Sequence, residues 1–230
     1  MDKKRVKKKV KKRKLSFKKI FRLIFIIAIF YIFINYLLNI PIKNIYITNY
    51  ENISDKEILT SSNLINYPSF FKTSKTYIKD NLLKNEFIKN VSITKKYGYK
   101  VFIDIEEYKV ICYDKNINKL YLENGKKVDN IYNITDSPIL VNDIGNLYNE
   151  FINKFSLVDK EILLKISEIE YSPVEVDKER FLLRMNDENY VYITLSKIKN
   201  LNKYNEIYDE MDGKKGIIYL DSGNYVEIKE

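Results

Sequence analysis

The sequence predicts an α+β protein with a single N-terminal transmembrane helix. A β-α-α-β-β module follows it, and then a mostly antiparallel β-domain with flanking helices. Three observations carry this reading. Residues 23–42 form a run of 20 without a charge, and at 1.5 Å per residue a helix of that size spans roughly 30 Å, the thickness of bilayer hydrocarbon. Helical spacing and two-residue alternation then alternate within about 70 residues. Beyond residue 111, short alternating apolar runs separated by turn residues dominate.

The charge is unevenly placed. The 230 residues carry +9, but residues 1–22 hold thirteen basic residues and one acid, or +12, which leaves −3 on the other 208. This is a basic arm on a mildly acidic body. It is not a nucleic-acid footprint, which needs a basic folded face with stacking aromatics; the arm offers only Phe17 and Phe21. The chain has no His, which excludes imidazole as base or ligand. The lone Cys112 excludes an internal disulfide and a cysteine metal site. Six glycines form no phosphate-binding loop. No cofactor or metal is expected.

The arm (1–19) and the apolar run explain each other. A buried core helix would leave the +12 unexplained. A cleaved signal peptide needs a small-residue site after the run, and Asn-Tyr-Leu-Leu-Asn-Ile-Pro follows instead. An uncleaved span over 20–39 is expected, with Tyr31 and Tyr36 as belt residues and Lys18, Lys19 and Arg22 flanking the membrane. The positive-inside rule puts the arm in the cytoplasm and residues 43–230 outside, a type II single-pass topology. The arm should also attract anionic lipid headgroups, by about 1 kcal/mol per basic residue near the surface.

The next module is expected over 40–110. Ile45-Tyr46-Ile47 reads as a strand. Ser54-Asp55-Lys56-Glu57 has the form of a capping box ahead of Ile58 and Leu59. Residues 66–72 form a loop with Pro68, and Ser74 caps a second helix carrying Ile78, Leu82 and Leu83. Val91, Ile93 and Lys95 alternate with Ser92 and Thr94; Tyr97-Gly98 turns the chain; Val101, Ile103 and Ile105 alternate again.

These residues have a family likeness. Residues 45–113 resemble a POTRA domain of the FtsQ/DivIB bacterial cell-division family. The matching features run from Ile53-Ser54-x-x-Glu57-Ile58 through Phe87-Ile88-Lys89-Asn90-Val91-x-Ile93 to a third strand closing with Ile105-Glu106-Glu107-Tyr108-Lys109-Val110-Ile111. Cys112 stands where the family's E-Y-K-x-I-A ending has Ala.

The remainder, 111–230, reads as that family's β-domain. A hairpin over 119–128 turns at Asn124-Gly125. Ile144, Leu147, Tyr148, Phe151, Ile152 and Phe155 mark one helix face. Residues 166–171, 180–185 and 190–195 read as strands. Ser196 is the expected cap of a last helix with Ile198, Leu201, Tyr204, Tyr208 and Met211 on one face, ended by Gly213. Residues 216–220 form a strand before the turn Asp221-Ser222-Gly223, in a closing run similar to the family's.

No catalytic chemistry is expected. Four S-x-x-K matches (Ser16–Lys19, Ser69–Lys72, Ser92–Lys95, Ser196–Lys199) come by chance in a lysine-rich chain without K-T-G. Glu106 and Glu107 would face opposite sides of a strand, and Asp187-Glu188 reads as a turn. Cys112 reads as a small buried residue.

The resemblance implies a non-catalytic scaffold at the division septum in the cell membrane. It would dock FtsB/DivIC-like and FtsL-like bitopic partners and, through them, support the septal peptidoglycan synthase. It further implies that a partner strand adds to the final sheet edge. Ile217, Tyr219, Leu220, Ser222, Gly223 and Tyr225 are the candidate contacts. A strand at 216–220 that is apolar on both faces fits either an edge that a partner covers or a central strand between helix and sheet. The alternative function is a POTRA-containing envelope assembly or secretion factor, which would need a β-barrel or repeated modules. An extracytoplasmic sensor would need an output domain, which a basic arm of 22 residues is not expected to form.

Overall fold

The computed structural model describes residues 16–229. Most of the basic arm, residues 1–15, lies outside them. Helix α1 (Phe17–Leu38) buries none of its residues against the other described residues. It is long and apolar enough to cross a membrane. It begins three residues before the expected start, so Lys18, Lys19 and Arg22 sit on its first turns, exposed. Its asparagines fit an apolar helix because each donates to a carbonyl one turn back: Asn35 Nδ2 to Tyr31 O at 3.0 Å and Asn39 Nδ2 to Asn35 O at 2.8 Å.

The first sheet follows the expected order. Strand β1 (Asn44–Thr48) pairs in parallel with β3 (Lys100–Glu107), which pairs antiparallel with β2 (Ile88–Lys96). Helices α2 (Asp55–Ser61) and α3 (Lys75–Leu82) cover one face, burying Ile58, Ile78 and Leu82 against Val91, Val101, Ile103 and Ile105. Both serine caps form: Ser54 Oγ accepts from Glu57 N at 3.3 Å and Ser74 Oγ from Tyr77 N at 3.5 Å. The Glu57 carboxylate accepts from Tyr132 Oη at 2.5 Å and Asn85 Nδ2 at 3.2 Å, tying α2 to a distant loop. Leu83 is exposed, one residue past the helix.

The run 105–111 does not form one closing strand. Strand β3 ends at Glu107, and β4 (Val110–Asp114) opens the second sheet. The break is held from both sides. Tyr108 N donates to Phe87 O at 2.8 Å, and Lys109 Nζ donates to Ser156 O and Val158 O at 2.8 and 2.6 Å. Burial lowers the pKa of that ammonium.

Among the described residues the second sheet has nine strands. After β4 come β5 (Lys119–Leu122), β6 (Lys127–Asp129), β7 (Ile139–Leu140), β8 (Ile166–Tyr171), β9 (Arg180–Met185), β10 (Tyr190–Thr194), β11 (Gly216–Tyr219) and β12 (Tyr225–Ile228). Their order is β12-β11-β10-β9-β8-β7-β4-β5-β6. The pairs β4·β7, β7·β8 and β10·β11 are parallel and the rest antiparallel. Helices α4 (Tyr148–Phe155), α5 (Lys160–Leu163) and α6 (Tyr204–Glu210) supply the flanking layer. Phe151, Phe155 and Phe181 meet at its centre, with centroids 4.3–6.0 Å apart.

Two local expectations change. Only Gly125 of the Asn124-Gly125 turn has positive φ, +81°, and Leu122 N bonds Lys126 O at 3.0 Å. The loop therefore holds three residues rather than two. Ser196 is not a cap: residues 195–203 form a 3₁₀ helix entered from Thr194, whose hydroxyl bonds Asp177 Oδ1 at 3.2 Å. The 3₁₀ helix buries Ile198 and Leu201, and the α-helix that follows it over Tyr204–Glu210 buries Tyr204 and, at its end, Met211 but leaves Tyr208 exposed.

Apolar packing continues across the two sheets. Leu120 and Leu122 of β5, with Val128 and Ile134, pack into the cluster of Phe87 and Ile105. Tyr121, between the two leucines, faces the cluster of the second sheet. The two-residue alternation of one strand thus serves both cores.

Candidate functional site

Chain reversal decides which strand forms the outer edge. After Leu220 the chain turns through 221–224 and returns as β12, antiparallel to β11. Strand β11 therefore lies between β10 and β12, and among the described residues the open edge at this end of the sheet is β12, not 216–220. Gly216 makes this approach feasible: a Cβ there would lie 2.3 Å from the Glu227 carbonyl oxygen.

The candidate residues divide between the two faces, as alternation requires. Ile218 and Leu220 are buried on the helix-covered face, while Ile217 and Tyr219 are half-buried on the other. Ser222, Gly223 and Tyr225 are exposed. Leu220 is therefore not a surface contact. With Ile207, Ile218 and Val226 it lines a groove of about 270 Å³ between α6 and β12, with Lys203, Glu206 and Glu210 beside it.

A ladder of side chains stiffens the edge on the open face. The Arg180 guanidinium lies 3.7 Å from the Tyr192 ring centroid, Tyr192 stacks on Tyr219 at 5.5 Å, and Tyr219 on Tyr225 at 4.5 Å. Arg180 Nε also donates to Asp221 Oδ2 at 2.6 Å, a pair whose side chains are only 15% and 9% exposed. Burial opposes the charge on Asp221. The bonds from Arg180 and from the Ser222 N–H and hydroxyl outweigh it and hold the carboxyl below its ordinary value. Lys197 Nζ donates to Asp221 O at 2.6 Å. Asn189, 1% exposed, secures the strand's other end by accepting from Gly216 N at 2.8 Å.

Strand β12 presents unused main-chain groups. Lys229 N donates to Lys215 O at 2.8 Å. Counting back by antiparallel alternation, the N–H and C=O groups of Val226 and Ile228 point away from β11. Such a row is a template for another strand.

The reactive-looking residues are buried or hydrogen-bonded within the fold. Burial, and then Asp114, push the Cys112 thiol up, so it stays protonated. Lys95 Nζ donates to the carbonyls of Phe70 and Thr73, and Ser69 Oγ to that of Leu38.

A model described as "POTRA domain, FtsQ-type" matches residues 40–108. The cell division protein DivIB of Bacillus subtilis (strain 168) is 32% identical over 221 residues, covering 90% of this chain and 83% of that protein. The chain belongs to the DivIB family. DivIB of Bacillus anthracis is 29% identical over 218 residues, covering 90% and 82%. A solved structure of the major extracytoplasmic domain of the trans isomer of DivIB from Geobacillus stearothermophilus aligns at 25% identity with a TM-score of 0.39, covering 46% of this chain and 96% of that one. Within this DivIB-family chain the POTRA match spans β1 to β3 and stops at Tyr108, where the chain leaves the first sheet. DivIB membership places the chain's role in cell division.

The sequence reading missed Arg180, Tyr192 and Asp221. No local signal marks them, because β10 and β11 pair in parallel across residues 195–215.

Proposed function

We propose that this chain is a non-catalytic, single-pass scaffold of the division machinery, with its arm in the cytoplasm and its two modules, 40–110 and 111–230, outside. An FtsB/DivIC-like partner adds a strand to β12, an FtsL-like partner joins through it, and the assembly supports septal peptidoglycan synthesis. The observation that supports this most is the unpaired edge of β12, stiffened by the tyrosine ladder and bordered by a groove that mixes apolar and charged side chains. Strand addition would supply main-chain hydrogen bonds, and Tyr225 with the groove would select side chains. The engaged ammonium of Lys95 and the buried, protonated thiol of Cys112 favour a role without chemistry.

Two experiments test the reading. A fluorescent fusion should form a midcell band; even envelope labelling contradicts a septal scaffold. Val226→Pro removes an outward-facing donor without touching the β11 ladder. It should abolish partner binding while the thermal melt stays near that of the unaltered protein; undiminished binding rejects the β12 edge.

A further inference from the structure

The end of the first module nearest α1 is unlike the rest of the chain. Residues 35–48, 65–79 and 92–102 hold seven lysines and no acid, whereas the remainder beyond residue 22 holds 20 basic and 30 acidic residues. The fold gathers these three segments around the C-terminal end of α1. Phe70 N donates to Ile40 O at 2.8 Å, Ile42 N to Pro68 O at 2.9 Å and Lys43 N to Tyr99 O at 2.9 Å. Lys72 Nζ reaches Asn39 Oδ1 at 2.7 Å. Tyr99 lines a groove with Asn35 and Tyr36 of the last helical turns. The loop at 65–73 and the β2–β3 turn are therefore held at the depth where α1 ends.

Both segments present aromatic rings to solvent. Phe71 packs edge-on against Phe70 and Tyr99, at 5.3 and 6.1 Å between centroids, yet is 51% exposed; Tyr67 is 47% exposed and Tyr97, at the tip of the turn, fully so. Aromatic side chains with a polar tip favour the membrane–water interface, and lysines beside them favour anionic headgroups.

We propose that this collar rests on the anionic phospholipid leaflet from which α1 emerges, so that the first module lies against the membrane rather than hanging from a free tether. Lys75, which opens α3, and Lys96, which closes β2, are both exposed beside these segments and face the headgroups while Phe71 and Tyr97 enter the interface. The proposal rests on α1 spanning the membrane and is independent of what binds β12.

The chain has no tryptophan, so single substitutions give unambiguous fluorescent probes. The full chain would be placed in lipid nanodiscs containing acyl chains brominated near the headgroup, with either phosphatidylglycerol or phosphatidylcholine. Phe30→Trp reports on α1, Tyr97→Trp on the collar, and Val176→Trp, at a 96% exposed site in the second module, on the aqueous phase. In phosphatidylglycerol, Tyr97→Trp should lose emission and shift to shorter wavelength, while Val176→Trp does neither. Adding Lys75→Glu and Lys96→Glu should restore the Tyr97→Trp emission and leave Phe30→Trp unchanged.

Quenching of Tyr97→Trp no greater than that of Val176→Trp, with Phe30→Trp quenched, overturns the collar while leaving the membrane span intact. That is also the result if a protein rather than lipid covers this face. No quenching of Phe30→Trp overturns both. Equal quenching in phosphatidylcholine overturns the role given to the lysines.

Discussion

Asp221 shows how one residue fixes the outer edge. Its carboxylate joins the β11–β12 turn to Arg180 on β9, and Arg180 begins the ladder that ends at Tyr225. Because the carboxyl's folded pKa lies below its ordinary 3.8, the stabilisation is complete above the unfolded value and is lost as pH falls through the lowered one. Asp221→Asn should therefore cost about 1–3 kcal/mol near neutrality, the penalty of an unpaired part-buried partner. The difference in melting temperature from the unaltered protein should vanish in strong acid. Gly216→Ala forces a Cβ against Glu227 O and should free β12 while leaving the first sheet folded, read as fast amide exchange confined to 216–228. Tyr225→Ala, which removes the ladder's exposed end, should weaken partner binding by about 1–2 kcal/mol. Ser54 and Ser74 were legible in the sequence because a cap acts within three residues. Asp221 was not, because its partner lies 41 residues away.

At the scale of elements, the sequence shows most strands and helices but not which strands neighbour which. The alternation of Val101, Ile103 and Ile105 and the spacing of Phe151, Ile152 and Phe155 survive into the fold because burial repeats with the local period, whereas residues 145–147 of the expected helix form a 3₁₀ turn instead. The edge does not follow from period. Gly216–Tyr219 is apolar enough for either position, and only the return of the exposed strand Tyr225–Ile228 decides it. Strand β5 poses the same problem: nothing in Lys-Leu-Tyr-Leu says that its leucines belong to a different core from its tyrosine. Leu122→Ala should cost about 2–5 kcal/mol, as for a large-to-small change in a core. Because Leu122 packs among first-module residues, both sheets should lose stability in one transition. Separate melts with only the second shifted would contradict the shared packing.

At the scale of the molecule, α1 contributes no buried residue, and the chain beyond it has its own cores. Residues 43–229 should therefore stay soluble and folded without the helix, with more strand than helix by circular dichroism. Protease added to intact cells without their wall should digest these residues and spare an N-terminal tag, as the arm's charge requires. The central claim, that β12 is where a partner strand docks, is tested most directly by amide hydrogen exchange on the full chain with and without an FtsB/DivIC-like partner. The account predicts that exchange slows at Val226 and Ile228, whose N–H groups face outward, and changes little in β1 to β3. Unchanged exchange at those two amides, with protection appearing on the first sheet instead, would contradict it.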